Sequence, residues 1–153
     1  TVKIAGPGGE RELGIDDFIV DALTTALEAS EVVTEIQVPV EGDGVGVSYR
    51  TIIQPASGFP IVGAAARIGV SDGKISLARV GMTGVAAKSY RATAVEAALE
   101  GKAADAETLA AASRLAAEGV EALSDLHASS EYRAHLATVQ LRGALEEAAE
   151  RAR

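Results

Sequence analysis

The sequence predicts an α+β fold, in which a small antiparallel sheet of about three strands is covered by a C-terminal bundle of three helices. Residues 45–85 are rich in β-branched and small apolar residues and contain a short turn signal. Residues 92–153 are rich in alanine, with larger apolar residues at helical spacing. Because strands and helices fall in separate blocks, helices on one face of an antiparallel sheet are favoured over alternating βαβ units.

The first forty residues contain short elements. TVKIAG is typical of a strand that ends at the following GPGG turn. IDDFIVDALTTAL has apolar residues at roughly helical spacing and predicts one or two turns of helix, and EVVTEIQVPV predicts a strand that stops at Pro39. Three glycines in EGDGVG then predict a linker. We therefore expect one domain fragment at 1–40, a linker at 41–46 and a second domain at 47–153.

The central segment predicts the sheet. VGVSYRTII, FPIVGAAARIGV and KISLARVGMTGV are strand candidates, and Asp72-Gly73 between the last two is a strong hairpin signal because both turn residues must take positive φ. The small residues from Gly63 to Ala66 indicate that something packs closely on the second strand. A helix lying on the sheet is favoured over a ligand.

Three helices are expected after residue 92. Asp105 is expected to cap the second helix, which should end at Gly119, and a serine should cap a last helix of about six turns. Gly101 is the expected stop of the first helix. The expected apolar rows of the last helix are Tyr132, Leu136 and Val139, and Leu141, Leu145 and Ala148.

Composition excludes several functions. The net charge of −8 and the pI of about 4.8 argue against nucleic-acid binding, which needs a basic surface. The chain has no cysteine, so disulfides and thiolate metal sites are excluded. The sequence contains no apolar run of about 18 residues, which is the length that a transmembrane helix requires. We expect a soluble, cytoplasmic protein.

Isolated chemical signals are weak. His127 and His135 lie eight residues apart across a loop and the start of a helix, and two surface histidines are a better interpretation than a metal site. Asp16-Asp17 are better explained by helix capping and the helix dipole than by acid–base catalysis. The GPGG turn lacks the Lys-Ser/Thr of a phosphate loop, and Ser57 lacks a nucleophile motif. No catalytic residue is predicted, which favours a binding or assembly part of something larger.

Three separated motifs carry a resemblance. YRTIIQPASGFPIVGAAARI, ARVGMTGVAAKSYRATAVEAALEGK and SSEYRAHLATVQLRGALEEAAERA together resemble the C-terminal domain of the FAD-binding medium subunit of molybdenum hydroxylases, the carbon monoxide dehydrogenase and xanthine dehydrogenase flavoproteins. Residues 1–40 resemble the tail of that subunit's FAD-binding domain. The positions that match the tail are Arg11, Asp17, Phe18, Thr25, Leu27, Glu31, Thr34, Ile36 and Pro39.

The resemblance implies FAD as the cofactor of the full-length subunit. The family's two glycine-rich FAD loops do not occur in this sequence, so the chain resembles a truncated subunit that would hold FAD weakly alone. The family's segment that approaches the isoalloxazine falls on Phe59, and its basic position falls on Arg50 or Thr51. These three are the implied cofactor-binding residues. A core aromatic is nevertheless the favoured interpretation of Phe59, and a packed strand tyrosine is that of Tyr49.

The implied function is electron relay. In the family, a large subunit oxidises substrate at a molybdenum cofactor, a small subunit carries 2Fe–2S clusters, and FAD on the medium subunit passes the electrons to an acceptor. The chain is then one component of an oxidoreductase whose C-terminal domain completes the flavin pocket and contacts both partner subunits. The alternative is a stand-alone assembly module that docks through an acidic helical face.

Overall fold

The computed structural model describes the whole chain, Thr1–Arg153, which divides into two compact units. The first unit is Thr1–Glu41 and the second is Gly42–Arg153. The chain has three antiparallel sheets, two in the first unit and one in the second. None of the helices combines the length and hydropathy that a membrane span requires.

The first unit is built on a three-stranded sheet. Its elements are β1 (Val2–Gly6), β2 (Gly9–Leu13), α1 (Ile15–Phe18), β3 (Ile19–Asp21), β4 (Thr24–Thr25) and β5 (Val32–Ile36), with the sheet order β2-β1-β5. The predicted first strand is confirmed, because β1 and β2 form a hairpin around the GPGG turn. The strand predicted in EVVTEIQVPV is also confirmed, as β5.

The short helix predicted in IDDFIVDALTTAL is confirmed as a single turn. Only Ile15–Phe18 is helical, and the chain then turns back as the β3–β4 hairpin, with Leu23 at a positive φ of 52°. Asp16 and Asp17 lie in the first turn of α1, where carboxylates suit the helix dipole. The N-cap residue itself is Gly14, so both carboxylates lie inside the first turn rather than at the cap position.

An ion pair holds the loops of the first unit. Arg11 donates to both carboxylate oxygens of Glu31 at 2.7 Å and also to the carbonyl of Ala26 at 2.7 Å. This bidentate pairing with Arg11 is the main reason that the pKa of Glu31 falls to about 2. Arg11 and Glu31 therefore join β2 to the segment that enters β5.

The second unit contains a four-stranded sheet. Its strands are β6 (Val45–Ile53), β7 (Pro60–Ser71), β8 (Lys74–Thr83) and β9 (Tyr90–Arg91), paired antiparallel in that order. The three predicted strands are confirmed, and the two-residue β9 is an addition. The hairpin prediction is also confirmed, since Asp72 and Gly73 have φ values of 50° and 73° between β7 and β8.

Three helices follow, as predicted. They are α2 (Thr93–Leu99), α3 (Ala106–Ser113) and α4 (Ser130–Arg151). Asp105 and Ser129 cap α3 and α4 by accepting hydrogen bonds from the backbone N–H groups of Thr108 and Tyr132. Gly101, at a φ of 75°, follows the end of α2, as expected.

Two expectations about the helices are wrong. α3 ends at Ser113 rather than at Gly119, because the next six residues form successive tight turns with bonds such as Leu115 N–H to the Ala112 carbonyl. The predicted apolar row Tyr132, Leu136 and Val139 is only partly inward, because Leu136 is buried whereas the other two are about half exposed.

The core lies between the sheet and α4, which packs across β6 and β7. Leu141, Leu145 and Ala148 are fully buried, as predicted, and each leucine contributes roughly 1.5–3 kcal/mol by leaving water. Ala64 and Ala66 of β7 are buried in the same core. Ala64 and Ala66 thus have the predicted helix above them, whereas Gly63 and Ala65 lie on the opposite face of the sheet, which lacks this cover within the unit.

Candidate functional site

A six-residue loop, Gln54–Phe59, connects β6 to β7 at one end of the sheet. Gln54 organises it: the side-chain carbonyl accepts from the backbone N–H of Ser57 at 2.5 Å and from its hydroxyl at 2.8 Å. The Gln54 backbone N–H donates to the carbonyl of Phe59, and the Gln54 carbonyl accepts from Gly58, both at 2.8 Å. Gly58 has a φ of 75°, which favours glycine. The loop is therefore closed on itself by its own hydrogen bonds.

This loop presents Phe59 to solvent. The side chain is 75% exposed, so the favoured interpretation of a core aromatic is wrong for this structure. The ring would gain free energy if another apolar surface covered it. The arrangement suits contact with a planar apolar or aromatic group.

Thr51 and Arg50 lie at adjacent positions on β6 and point to opposite faces of the sheet. The Thr51 hydroxyl donates to the carbonyl of Val62 at 3.0 Å, which ties it to β7. Arg50 lies on the helix side, where a Cβ added to Gly143 would come within 2.8 Å of its Nε. The structure therefore does not bring the side chains of Arg50 and Thr51 together.

Tyr49 lies on the open face of the sheet, away from α4. Its hydroxyl occupies the space that a Cβ on Gly63 would need, so Gly63 allows the tyrosine to lie flat across β7. Tyr49 is about half exposed, so it packs on the strand and still offers one side to solvent. The glycine at position 63 was a signal of close packing, but the neighbour is this side chain rather than a helix.

The open face also carries a groove of about 510 Å³ with a floor of small residues, including Ala65 and Gly81. Arg67 and Arg79 lie directly opposite each other across β7 and β8, and Arg91 pairs with Gly81. Arg91 forms a bidentate ion pair with Glu96, whose carboxylate also accepts from the Val80 N–H. The groove is therefore lined by several arginines, of which Arg91 is paired with a glutamate.

Arg133 is a buried charge that sequence reasoning missed. It lies on α4 and is only 4% exposed. Its Nη1 donates to the carbonyl oxygens of Ile61 at 2.6 Å and Gly84 at 2.7 Å, and its Nη2 contacts Asp125 at 2.6 Å. A signal was present, since Arg133 lies four residues before the buried Ala137 and eight before Leu141, on the inward stripe of the helix.

The residues behind the weak chemical signals of the sequence lie in different elements of the fold. No group of three or more His, Asp and Glu side chains is close enough to hold a metal ion. The backbone N–H of His127 donates to Asp125, which caps the turn before α4. Ser57 takes part in the network of Gln54. The chemistry available at the Gln54–Phe59 loop is therefore binding and stacking.

The sequence and the fold match known proteins. The model of the CO dehydrogenase flavoprotein C-terminal domain matches residues 47–148. The chain is 33% identical to the carbon monoxide dehydrogenase medium chain of Afipia carboxidovorans, over 99% of this chain and 52% of that protein. It is 29% identical to the nicotine 6-hydroxylase medium subunit of Paenarthrobacter nicotinovorans, over 98% of this chain and 52% of that subunit.

A solved structure agrees with these matches. Carbon monoxide dehydrogenase from Hydrogenophaga pseudoflava, in a form that lacks the Mo-pyranopterin moiety of the molybdenum cofactor, superimposes with a TM-score of 0.93 at 33% identity. The match covers 98% of this chain and 52% of that one, so the chain spans about half the length of the relatives it matches. The chain belongs to the CO dehydrogenase flavoprotein family, whose C-terminal domain forms its second unit.

Proposed function

We propose that the chain is part of the medium, FAD-carrying subunit of a molybdenum hydroxylase of the carbon monoxide dehydrogenase type, an oxidoreductase. The observation that carries the proposal is Phe59, an exposed aromatic ring on a preordered loop in a domain of this family. In the proposal this loop forms one wall of the flavin site. When bound, FAD takes electrons from iron–sulfur clusters and passes them to an acceptor.

The residues of this chain fit the ring end of FAD. Phe59 offers an apolar planar surface and excludes water from whatever lies on it. The loop needs little reordering, because Gln54 already closes it, and a preorganised wall reduces the entropy lost on binding. Thr51 lies on the neighbouring strand and contributes through its bond to Val62.

Arg50 has a different part in the proposal. Its guanidinium lies against α4, on the face of the sheet opposite to the side chain of Thr51. In this position it supplies positive charge near the site rather than a contact to the ring. The pyrophosphate would be bound by glycine-rich loops outside this sequence, as the resemblance implies.

Partner subunits follow from the same proposal. A large molybdenum-cofactor subunit and a small 2Fe–2S subunit would meet surfaces of this domain. The arginine-lined groove of the open face and the half-exposed Tyr132 and Val139 on α4 are surfaces suited to such contacts.

A second candidate is a stand-alone assembly module without a redox role. Tyr132 and Val139 favour it, because exposed apolar side chains on a helix are typical of docking surfaces. The two candidates differ in their dependence on Phe59: an assembly module that docks through α4 does not require an exposed ring at the far loop.

The test is Phe59→Ala in the full-length, FAD-loaded protein. Removal of one aromatic contact should weaken FAD binding by roughly 2- to 12-fold and raise the fluorescence of the bound flavin, because the stacking neighbour is lost. Tyr132→Ala is the matched control, since it removes another exposed aromatic of the same unit. Equal FAD dissociation constants and equal flavin fluorescence for Phe59→Ala and the wild type would contradict the proposed role of the loop.

A further inference from the structure

Two backbone segments meet at the start of β7. Gly84, which follows β8, has a φ of 77° and lies against Pro60 and Ile61. A Cβ added to Gly84 would lie 2.5 Å from the carbonyl oxygen of Ile61 and 2.8 Å from that of Pro60. The two segments are therefore in direct backbone contact directly after Phe59.

Arg133 joins these segments from the helix side. The carbonyl groups of Ile61 and Gly84 both point at Nη1 of Arg133, and a single guanidinium satisfies both. The opposite arm of the fork binds Asp125, whose second oxygen accepts from the backbone N–H groups of His127 and Ala128. Four segments of the second unit thus meet at one side chain: the start of β7, the end of β8, the turn before α4 and α4 itself.

Stability alone does not account for this arrangement. Burial of a guanidinium carries a desolvation penalty, and the buried Nε of Arg133 has no hydrogen-bond partner. An apolar residue at this inward position of α4 would avoid that penalty but would leave the carbonyl oxygens of Ile61 and Gly84 without this donor. The gain from arginine is geometric, because its planar fork fixes two carbonyl oxygens relative to a carboxylate.

We propose that Arg133 is a positioning residue for Phe59, and that it sets the orientation of the ring by holding the Ile61 carbonyl two residues away. The Phe59 carbonyl is bound by Gln54 on one side and the backbone is bound by Arg133 on the other, so the loop is held at both of its ends. This proposal rests on the proposed function of Phe59 as a wall of the flavin site.

The test is a double-mutant cycle in the full-length, FAD-loaded protein, with Phe59→Ala, Arg133→Lys and the double variant. Lysine keeps the charge but lacks the fork, so Arg133→Lys should weaken FAD binding in the same direction as Phe59→Ala and raise flavin fluorescence. In the Phe59→Ala background, Arg133→Lys should cause no further change in either quantity. Arg142→Lys, an exposed member of an i,i+4 ion pair on the same helix, is the matched control.

Arg133→Met removes the charge at similar volume. It replaces Arg133→Lys in a second double-mutant cycle with Phe59→Ala. Additive effects of Phe59→Ala and Arg133→Lys, or an Arg133→Lys protein with wild-type FAD binding and fluorescence, overturn the positioning role and leave the role of Phe59 intact. A Phe59→Ala protein with unchanged FAD binding overturns the proposed function itself, and the two failures are thereby distinguished.

Discussion

Two loops at opposite ends of the same sheet differ in length, in internal hydrogen bonding and in the side chain that they expose. Asp72 and Gly73 join β7 to β8 with two residues, both in the left-handed region, and form a minimal turn. Gln54–Phe59 joins β6 to β7 with six residues, an internal hydrogen-bond network and an exposed phenylalanine, and Arg133 holds the backbone beyond it. The first connection only reverses the chain, whereas the second needs tertiary support because it presents a side chain.

The largest effect is expected at the supported connection. Gly84→Ala places a Cβ against the carbonyl oxygens of Pro60 and Ile61 at a φ of 77°. We expect a loss of about 2–3 kcal/mol in the free energy of unfolding, since a non-glycine residue is strained there and the contacting atoms are backbone. Urea unfolding of the protein measures it. A loss below 1 kcal/mol would mean that the backbones separate easily, and the comparison would fail.

A smaller effect is expected at the simple turn. Gly73→Ala has the same sign of φ, 73°, but a Cβ there meets nothing within 4 Å. Only the left-handed conformation is penalised, so the expected loss is about 1–2 kcal/mol in the same urea experiment. The FAD dissociation constant of the full-length protein should stay at its wild-type value. A Gly73→Ala protein with weakened FAD binding would show that the two ends of the sheet are not functionally distinct.

The smallest effect on stability is expected from lowering the pH, through the carboxyl group of Asp125. The bond from Arg133 is the main cause that lowers the pKa of Asp125 from 3.8 to about 2, and the N–H groups of His127 and Ala128 add to it. A carboxyl whose pKa is lower in the folded state stabilises the fold above its unfolded pKa, and this stability is lost as pH falls through the folded pKa. Wild-type protein should therefore be more stable than Asp125→Asn at neutral pH.

The difference between these two proteins should shrink as pH falls from about 4 to about 2, because the paired carboxylate is then protonated. Urea unfolding of both proteins at a series of pH values measures the difference directly. The Asp125→Asn protein retains every other carboxyl group, so the difference isolates the contribution of Asp125. A constant gap over that range would show that the Arg133–Asp125 pair contributes no charge-dependent stability.

Local chemistry made much of the fold predictable. The Asp72-Gly73 hairpin, the caps Asp105 and Ser129 and the inward row of Leu141 and Leu145 depend on residues near one another in sequence, and all were confirmed. The errors have a common cause. The end of α3 at Ser113 and the half-exposed Tyr132 and Val139 depend on which neighbours are available, and no local pattern specifies those.

The candidate site was also predicted only in part from the sequence. The sequence motifs singled out Phe59, but the favoured interpretation of a buried core aromatic was wrong, because its ring is exposed. Arg50 and Thr51 were assigned to one site, although the alternation of side chains along a strand already sends neighbours to opposite faces. Their role in cofactor binding stays a prediction.

By itself the sequence determined the class of fold, the order of strands and helices and the turns, because these follow from side-chain periodicity and from residues that accept special φ values. Only the tertiary structure decided that Arg133 is buried and that its guanidinium joins Ile61, Gly84 and Asp125. These partners come from separate parts of the chain. The free energy of burying the Arg133 charge depends on all of its hydrogen-bond acceptors together. These acceptors surround the guanidinium only in the folded chain.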